Sequence, residues 1–179
     1  KMFFFLRFSS SSFFTIDFGS FYTKSAFEGK NRNPEIGTNI YSKRLTPSFV
    51  AFKTPKNFDN MSTDLLSDDE IKKLVPVIGD QAVSVLSSKP WAGSGYLQQF
   101  IDIDDTESRN VSAKLKVSPP NDTRFKLFNL TSTFLHFYSK MILGQERFDK
   151  VATTLVVPGS FSQPQINWIS DAAQHAKLK

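Results

Sequence analysis

The chain has 179 residues, of which 40% are hydrophobic and 19 are Phe, which suits one aromatic-rich domain or part of a larger protein. Its net charge of +5 comes from Lys and Arg residues dispersed among acidic ones, so no basic stripe interleaved with aromatic residues indicates a nucleic-acid surface. The absence of Cys excludes disulfide bonds and thiolate metal sites.

The N-terminal residues 1–14 read KMFFFLRFSSSSFF. The apolar stretch Met2–Leu6 followed by four Ser residues is typical of a short secretory signal, although Arg7 interrupts the apolar run. The alternative is that the true start lies upstream, because Lys1 precedes Met2. The apolar run is too short for a membrane span, which needs about 20 residues.

A hairpin with a single carboxylate is predicted over residues 15–26. Phe14, Ile16 and Phe18 fall on one face of its first strand, and Asp17 falls on the other. A carboxylate just before the Gly19 turn suits a Mg²⁺-phosphate site, since Gly19 lets backbone N–H groups approach phosphates. The alternative is an ordinary hairpin turn with an exposed Asp. The second strand is predicted over Tyr22–Glu28.

The middle of the chain is predicted to alternate short strands and helices. Further strands are expected over 35–41 and, in an alternating pattern, over 49–52, followed by a loop over 53–64. A capping box that starts at Ser67 predicts a helix through Leu74 that stops before Pro76, and a second helix is expected over 81–87. That helix is expected to be broken by Lys89-Pro90 and by residues 93–95, and a short apolar segment is expected over 96–101. The polar stretch 102–121 is expected to hold at most an edge strand at 113–117.

The last third has the clearest periodicity. Apolar residues recur at helical spacing from Leu130 to Ile142, and the helix is predicted to end at Gly144. A continuous apolar run over 151–157 predicts a buried strand, and a capping box at Ser162 opens a final helix. His136 and His175 stand alone in helical segments, so both are interpreted as structural. This order of elements predicts an α/β layer.

Four N-glycosylation sequons accompany the signal-like start, and together they favour a secretory route. Their acceptor residues are Asn60, Asn110, Asn121 and Asn129.

Four sequence blocks, in this order, resemble the nucleotide-binding domain of the 70-kDa heat-shock protein family. The first is Ile16-Asp17-Phe18-Gly19-Ser20, which is similar to the family's first phosphate motif. The others are Arg44–Phe52 with its Thr-Pro-Ser, Gly79-Asp80-Gln81-Ala82 followed by Lys89-Pro90, and Val156–Phe161 with Gln165 and Asp171-Ala172-Ala173. The resemblance covers residues 15–179.

This resemblance implies an α/β fold of the actin-like ATPase (ribonuclease H-like) type. The chain would form the first part of lobe I, incomplete, with a mixed sheet, flanking helices and a surface insertion at about 53–77. It implies ATP or ADP and Mg²⁺ as ligands of the complete domain. Asp17 would hold the Mg²⁺ shell, and Gly19, Ser20, Phe21 and Tyr22 would form the phosphate loop.

Details within the blocks look like the large, hypoxia-upregulated branch of the endoplasmic reticulum. Gln98 stands where the family has a catalytic Lys, and Phe21 stands where typical members have a phosphate-contacting Thr. Hydrolysis is therefore expected to be slow or absent, because Gln98 supplies no positive charge. The resemblance implies a lumenal chaperone that assists folding of client proteins and acts as nucleotide-exchange partner of the lumenal heat-shock-70 protein.

Two alternatives remain open at this stage. One is an ordinary heat-shock-70 ATPase, which Gln98 disfavours. The other is a non-enzymatic secreted glycoprotein or interaction module built on a decayed actin-like lobe.

Overall fold

The computed structural model describes residues 12–29, 32–53, 66, 68–101 and 125–179. The strands in these ranges are β1 (Phe13–Phe18), β2 (Tyr22–Glu28), β3 (Pro34–Ile36), β4 (Thr46–Pro47), β5 (Phe49–Lys53), β6 (Val75–Ile78), β7 (Gly93–Gly95) and β8 (Ala152–Val156). The α-helices are α1 (Asp68–Ile71), α2 (Asp80–Ser88), α3 (Leu127–Leu143), α4 (Gln145–Phe148) and α5 (Gln163–His175). Two 3₁₀ turns cover Pro90–Ala92 and Leu97–Phe100. The fold is therefore α/β, as predicted.

The larger sheet is mixed. Its strand order is β3-β2-β1-β8, and the short β4 also pairs with β2. β1 and β2 form an antiparallel hairpin in which Asp17 lies opposite Lys24. β8 runs parallel to β1 and brings Val156 beside Asp17. Parallel pairing needs a long crossover connection, and α3 lies within this one.

One face of the larger sheet is buried under helices. Phe14, Ile16 and Phe18 are 0% exposed and join the main hydrophobic core with α3 residues. The Phe18 ring lies 5.8 Å from the Phe134 ring of α3. Burial raises the pKa of Tyr138, also on α3, to about 12, so its hydroxyl stays protonated and donates to Ser25 Oγ of β2 at 3.0 Å.

The smaller sheet is antiparallel, with the order β6-β5-β7. The sequence predicts one buried face for its central strand β5, but residues 49–52 are all buried. Val50 and Phe52 enter the main core, whereas Phe49 and Ala51 join a second cluster with Ala82 of α2. The alternation is real, and each face of the strand meets a different core.

Helices α3 and α5 pack together and exchange two histidine hydrogen bonds. His136 of α3 donates from Nδ1 to the Ala176 carbonyl at 2.8 Å, and His175 of α5 lies 3.2 Å from Ser132 Oγ. α5 begins with the predicted capping box, in which Ser162 and Gln165 bond each other's backbone N–H groups. These contacts fit the structural role predicted for both histidines.

Several predicted elements have the predicted bounds or nearly so. β2 matches residue for residue, α2 and α3 lie where helices are predicted, and α3 ends before Gly144, whose φ is 74°. A positive φ favours glycine, which explains why the helix stops there.

Other predicted bounds are wrong. The third strand is shorter than 35–41, because Asn39 Oδ1 accepts hydrogen bonds from the N–H groups of Tyr41 and Lys43 and turns the chain. The second helix ends at Ser88, as predicted, but residues 93–95, expected only as a break, form the strand β7. Gly93 fits there against the backbone of β5, and Gly95 fits against the Phe49 ring. The helix α1 stops before Pro76, as predicted, but it ends at Ile71 instead of Leu74. Pro76 lies inside β6, which tolerates it because β6 is an edge strand.

The burial of two further segments, β8 and the expected insertion, differs from the prediction. β8 is half-buried along its whole length, not fully buried, because it is the last strand of the described sheet. The described part of the expected insertion at about 53–77 belongs to the folded domain, since Leu66 and Val77 are buried and β6 pairs with β5.

Several predictions fall outside the described residues. They are the signal-like segment up to residue 11, the loop over 54–64, the capping Ser67 and the edge strand at 113–117. Among the described residues, no helix is long and apolar enough to cross a membrane.

Candidate functional site

The candidate site is the turn between β1 and β2, residues 19–21. Gly19 is required here by the chain itself, because a Cβ at this position would lie 2.4 Å from the Tyr22 carbonyl oxygen. Within the described residues, the N–H groups of Gly19, Ser20 and Phe21 donate no hydrogen bond. Three neighbouring N–H donors on one turn are the kind of group that binds phosphate oxygens.

Ser48 supports this turn from the side. Its Oγ donates to the Gly19 carbonyl at 2.8 Å and lies 3.0 Å from Thr23 Oγ1, and its backbone N–H donates to the Phe21 carbonyl at 3.0 Å. Ser48 is 0% exposed. The residue therefore fixes both ends of the turn, while β4 pairs Tyr22 with Pro47 just before it.

Gln98 holds the other side of the turn. Its Nε2 donates to the Phe18 carbonyl, and its Oε1 accepts from Ser20 Oγ at 2.6 Å. The residue lies on the 3₁₀ turn Leu97–Phe100 and is only 5% exposed. A buried amide with bonds at both ends is fixed in orientation.

Asp17 and Lys24 provide the charge of the site. The Lys24 Nζ lies 3.1 Å from Asp17 Oδ2, and their side chains are 58% and 43% exposed respectively. Both lie on the uncovered face of the larger sheet. Among the described residues, no group of three or more His, Cys, Asp or Glu side chains could hold a metal ion.

A single carboxylate is nevertheless compatible with Mg²⁺. This ion usually keeps several waters and is held by one or two carboxylates together with substrate phosphates. Asp17 is the residue of the site that could hold it, and the turn N–H groups and the Lys24 ammonium could hold phosphate oxygens. The site therefore fits a Mg²⁺-nucleotide, provided that Lys24 moves from Asp17 to the phosphates.

An aromatic group borders the turn. The Phe21 ring lies 5.0 Å from the Tyr96 ring, which in turn lies 4.6 Å from Phe49. Phe21 and Tyr22 are 50% and 53% exposed. Tyr96 has a left-handed backbone conformation, with φ of 53°, which directs the chain into the 3₁₀ turn that carries Gln98.

Asp17 and the four predicted loop residues therefore lie together at the end of β1, in the turn that follows it and at the start of β2. Asp17 supplies a carboxylate, Gly19 the close approach and Ser20 the contact to Gln98. Phe21 and Tyr22 contribute exposed rings and no polar contact of their side chains. The sequence alone assigns no role to the side chains of Ser48 and Tyr96. The Thr-Pro-Ser block is a signal for Ser48, and no sequence feature marks Tyr96.

Of the four sequons, only Asn129 is in the described part of the chain. It lies half-buried in the first turn of α3, and the third residue of its sequon, Thr131, is 0% exposed. Acceptor asparagines usually lie on surface loops, so this helix position is an unfavourable one for a glycan. Asn60, Asn110 and Asn121 lie outside the described residues.

Two cavities lie away from the turn. One, of about 200 Å³, is bordered by Asn39, Tyr41, Gly79, Asp80 and Phe137. Asp80 in its wall pairs with Lys43 at 3.2 Å. The other, of about 360 Å³, lies between α1, β6 and α3. Neither is lined by a residue of the predicted phosphate loop.

The assignment of the candidate site is based on this geometry and on the sequence blocks. A scan against protein-family models finds no match for this chain, and neither does a search of curated proteins.

Proposed function

We propose that the chain is part of the nucleotide-binding lobe of a chaperone similar to the 70-kDa heat-shock proteins, with an actin-like (ribonuclease H-like) fold. The turn after β1 would bind the phosphates of ATP or ADP with Mg²⁺ at Asp17.

The observation that carries this proposal is that the second and the fourth sequence blocks contact the hairpin formed by the first, while the third block contacts the second. Ser48 of the Thr-Pro-Ser block bonds the turn, and Gly79 of the third block donates its N–H to the Phe49 carbonyl at 3.0 Å. Val156 of the fourth block lies beside Asp17 in the sheet. Three blocks from separate parts of the sequence therefore meet at this hairpin, which is the arrangement that a shared phosphate site requires.

The local chemistry also supports phosphate binding. The turn offers N–H donors without partners among the described residues, one ammonium group and one carboxylate. N–H groups and Lys24 complement phosphate oxygens, and Asp17 complements Mg²⁺. The open face of the sheet gives the ligand access to all three.

Gln98 makes the site one for binding with little or no hydrolysis. Both ends of its amide are occupied, and the side chain has no charge to stabilise a transferring phosphoryl group. This favours a nucleotide-regulated exchange partner over an ordinary heat-shock-70 ATPase.

In the whole protein this lobe would serve a chaperone of the endoplasmic reticulum lumen. Its partners would be unfolded client proteins and the lumenal heat-shock-70 protein, for which it would act as nucleotide-exchange factor. The signal-like start and the sequons at Asn60, Asn110 and Asn121 support that compartment. The rival interpretation, an interaction module on a decayed lobe, requires that the turn binds no nucleotide.

Calorimetric titration with MgADP and MgATP tests the proposal. Asp17→Asn should weaken binding by about 10-fold, the effect of losing one charge-assisted contact. Asp171→Asn, at an exposed position of α5, is the matched control and should leave affinity unchanged. No binding by the unaltered chain would refute nucleotide binding by the chain alone, and equal affinities for both variants would refute the role of Asp17.

Hydrolysis needs a separate measurement. A single-turnover assay with excess protein should show no phosphate release above background. Rapid release would instead support the ordinary heat-shock-70 ATPase.

A further inference from the structure

Gln98 and Ser20 are separated by 78 residues in sequence, yet they form one of the shortest side-chain contacts of the site. Ser20 Oγ lies 2.6 Å from Gln98 Oε1. The Phe18 carbonyl accepts from Gln98 Nε2 on the other side of the same amide. Gln98 therefore connects the residue before Gly19 to the residue after it.

The chemistry fixes which way the amide points. A backbone carbonyl can only accept, so Nε2 must face Phe18 and Oε1 must face Ser20. The Ser20 hydroxyl must then be the donor in its contact with Gln98. Its only proton is used within the protein and is not available to a ligand.

Three side chains of similar length, Lys, ionised Glu and Met, do not fill both roles at this position. A Lys ammonium could donate to the Phe18 carbonyl but could accept nothing from Ser20, and an ionised Glu could accept from Ser20 but could not donate to Phe18. An isosteric Met could do neither. A Gln at 98 and a hydroxyl at 20 are thus matched to each other.

We infer that Gln98 is a positioning residue that holds the Gly19–Ser20 turn in its phosphate-receiving shape, through the Ser20 hydroxyl and the Phe18 carbonyl. This inference rests on the proposed nucleotide binding. It adds that the ligand is held at this turn by backbone N–H groups, and that the Ser20 side chain serves the protein, not the phosphate.

The exposure of the surrounding groups agrees with this division of roles. Gln98 is 5% exposed, so it is shielded from a ligand on the open face. Ser48 braces the same turn through the Gly19 and Phe21 carbonyls. The carbonyls of Phe18, Gly19 and Phe21 are thus all bonded within the protein, whereas the N–H groups of the turn donate no hydrogen bond among the described residues.

The test compares MgADP with adenosine in the full chain. Gln98→Met should weaken MgADP binding by about 10-fold, as loss of a supporting contact usually does, and leave adenosine affinity unchanged. A merely structural role would lower the melting temperature but would not change the ratio of the two affinities. Gln99→Met, at the partly exposed neighbouring position, is the matched control and should change neither affinity.

Ser20→Ala provides a second variant in case Gln98→Met does not fold, since Ser20 is at the edge of the site and its loss leaves no large cavity. It should reduce the affinity for MgADP in the same selective way. In the double variant the two losses should not add in full, because both substitutions remove the contact between Ser20 and Gln98. Additive losses, or a phosphate-independent loss, would overturn the inference.

Amide hydrogen exchange separates failure of the inference from failure of the proposed function. If the unaltered chain does not bind MgADP, nucleotide binding is refuted, and the positioning of phosphates with it. Faster exchange over residues 18–22 in Gln98→Met than in Gln99→Met would still show that Gln98 orders the turn. Unchanged exchange together with unchanged MgADP affinity would refute any such role.

Discussion

The larger and the smaller sheet differ in how many of their faces are covered. In the larger sheet, Phe14, Ile16 and Phe18 are 0% exposed, whereas Asp17 and Lys24 on the other face remain open to solvent. In the smaller sheet, the central strand β5 buries residues on both faces, in two clusters. The candidate site therefore lies on the sheet that has a free face.

This difference has a simple energetic basis. Charged groups are costly to bury without partners, so a site that needs a carboxylate and an ammonium is placed where water reaches both. The smaller sheet carries no such requirement and can serve as a rigid support. Ser48 lies between β4 and β5 and connects the smaller sheet to the turn, because its Oγ donates to the Gly19 carbonyl.

The largest expected effect is in the smaller sheet. Phe52 is 1% exposed and its ring stacks on Phe125 at 4.4 Å, so Phe52→Ala should lower the free energy of unfolding by about 3–5 kcal/mol. Tyr22→Ala, on the open face of the larger sheet, should cost less than about 1 kcal/mol. Urea unfolding of both variants measures this contrast. Equal losses of unfolding free energy would show that the buried strand of the smaller sheet and the open face of the larger sheet do not differ in their contribution to stability.

A smaller effect is expected at the pairing of β7 with β5. An added Cβ at Gly93 would lie 2.2 Å from the Val50 carbonyl oxygen, so Gly93→Ala should destabilise the protein by about 1–3 kcal/mol. Gly159→Ala is the control, because no atom lies within 4 Å of the added Cβ. A neutral Gly93→Ala would mean that β5 and β7 are not in close contact.

On the open face, the Asp17–Lys24 pair should contribute little to stability. Exposed ion pairs are worth at most about 1 kcal/mol, so Lys24→Ala should change the free energy of unfolding by less than that. Salt screens such pairs, so the difference should shrink between about 0.05 M and about 0.5 M salt. A larger, salt-independent loss would indicate that Lys24 is part of the core structure.

The smallest expected effect is the pH dependence of stability that comes from His136, on the helix α3 that covers the larger sheet. Burial lowers the pKa of His136 below its usual 6.5, and Lys140 and Lys177 act in the same direction against the Ala176 hydrogen bond and Asp149. The unfolded chain therefore takes up the proton first, and stability falls as pH drops below 6.5. His136→Gln should flatten this fall in melting temperature, and an equally steep fall would exclude His136 as its cause.

Much of the fold could be predicted from the sequence because it follows from local patterns. The period-two alternation of β1 and the helical spacing from Leu130 to Ile142 identify both covered surfaces of the main core. The capping box at Ser162 and the stop at Gly144 also act within a few residues, and both are found as predicted. The hairpin, with Asp17 beside its turn, follows from the same rules.

The strand bounds that were wrong depend on distant neighbours. β7 exists because two glycines allow the backbone to approach β5, and β8 is half-buried because it lies at the edge of the described sheet. The third strand ends early because an Asn side chain competes for the backbone. Such outcomes depend on what packs or bonds from elsewhere, which local propensity does not encode.

For the candidate site, the sequence by itself determined the chemical groups: a carboxylate at Asp17, a glycine turn and a neutral amide at Gln98. Only the tertiary structure decided their partners. It directs the Gln98 amide to Ser20 and Phe18, brings Ser48 against the turn and leaves Asp17 with Lys24 on an open face. The reason is physical, because hydrogen bonds between residues nearly 80 positions apart form only after packing has brought their strands and turns together.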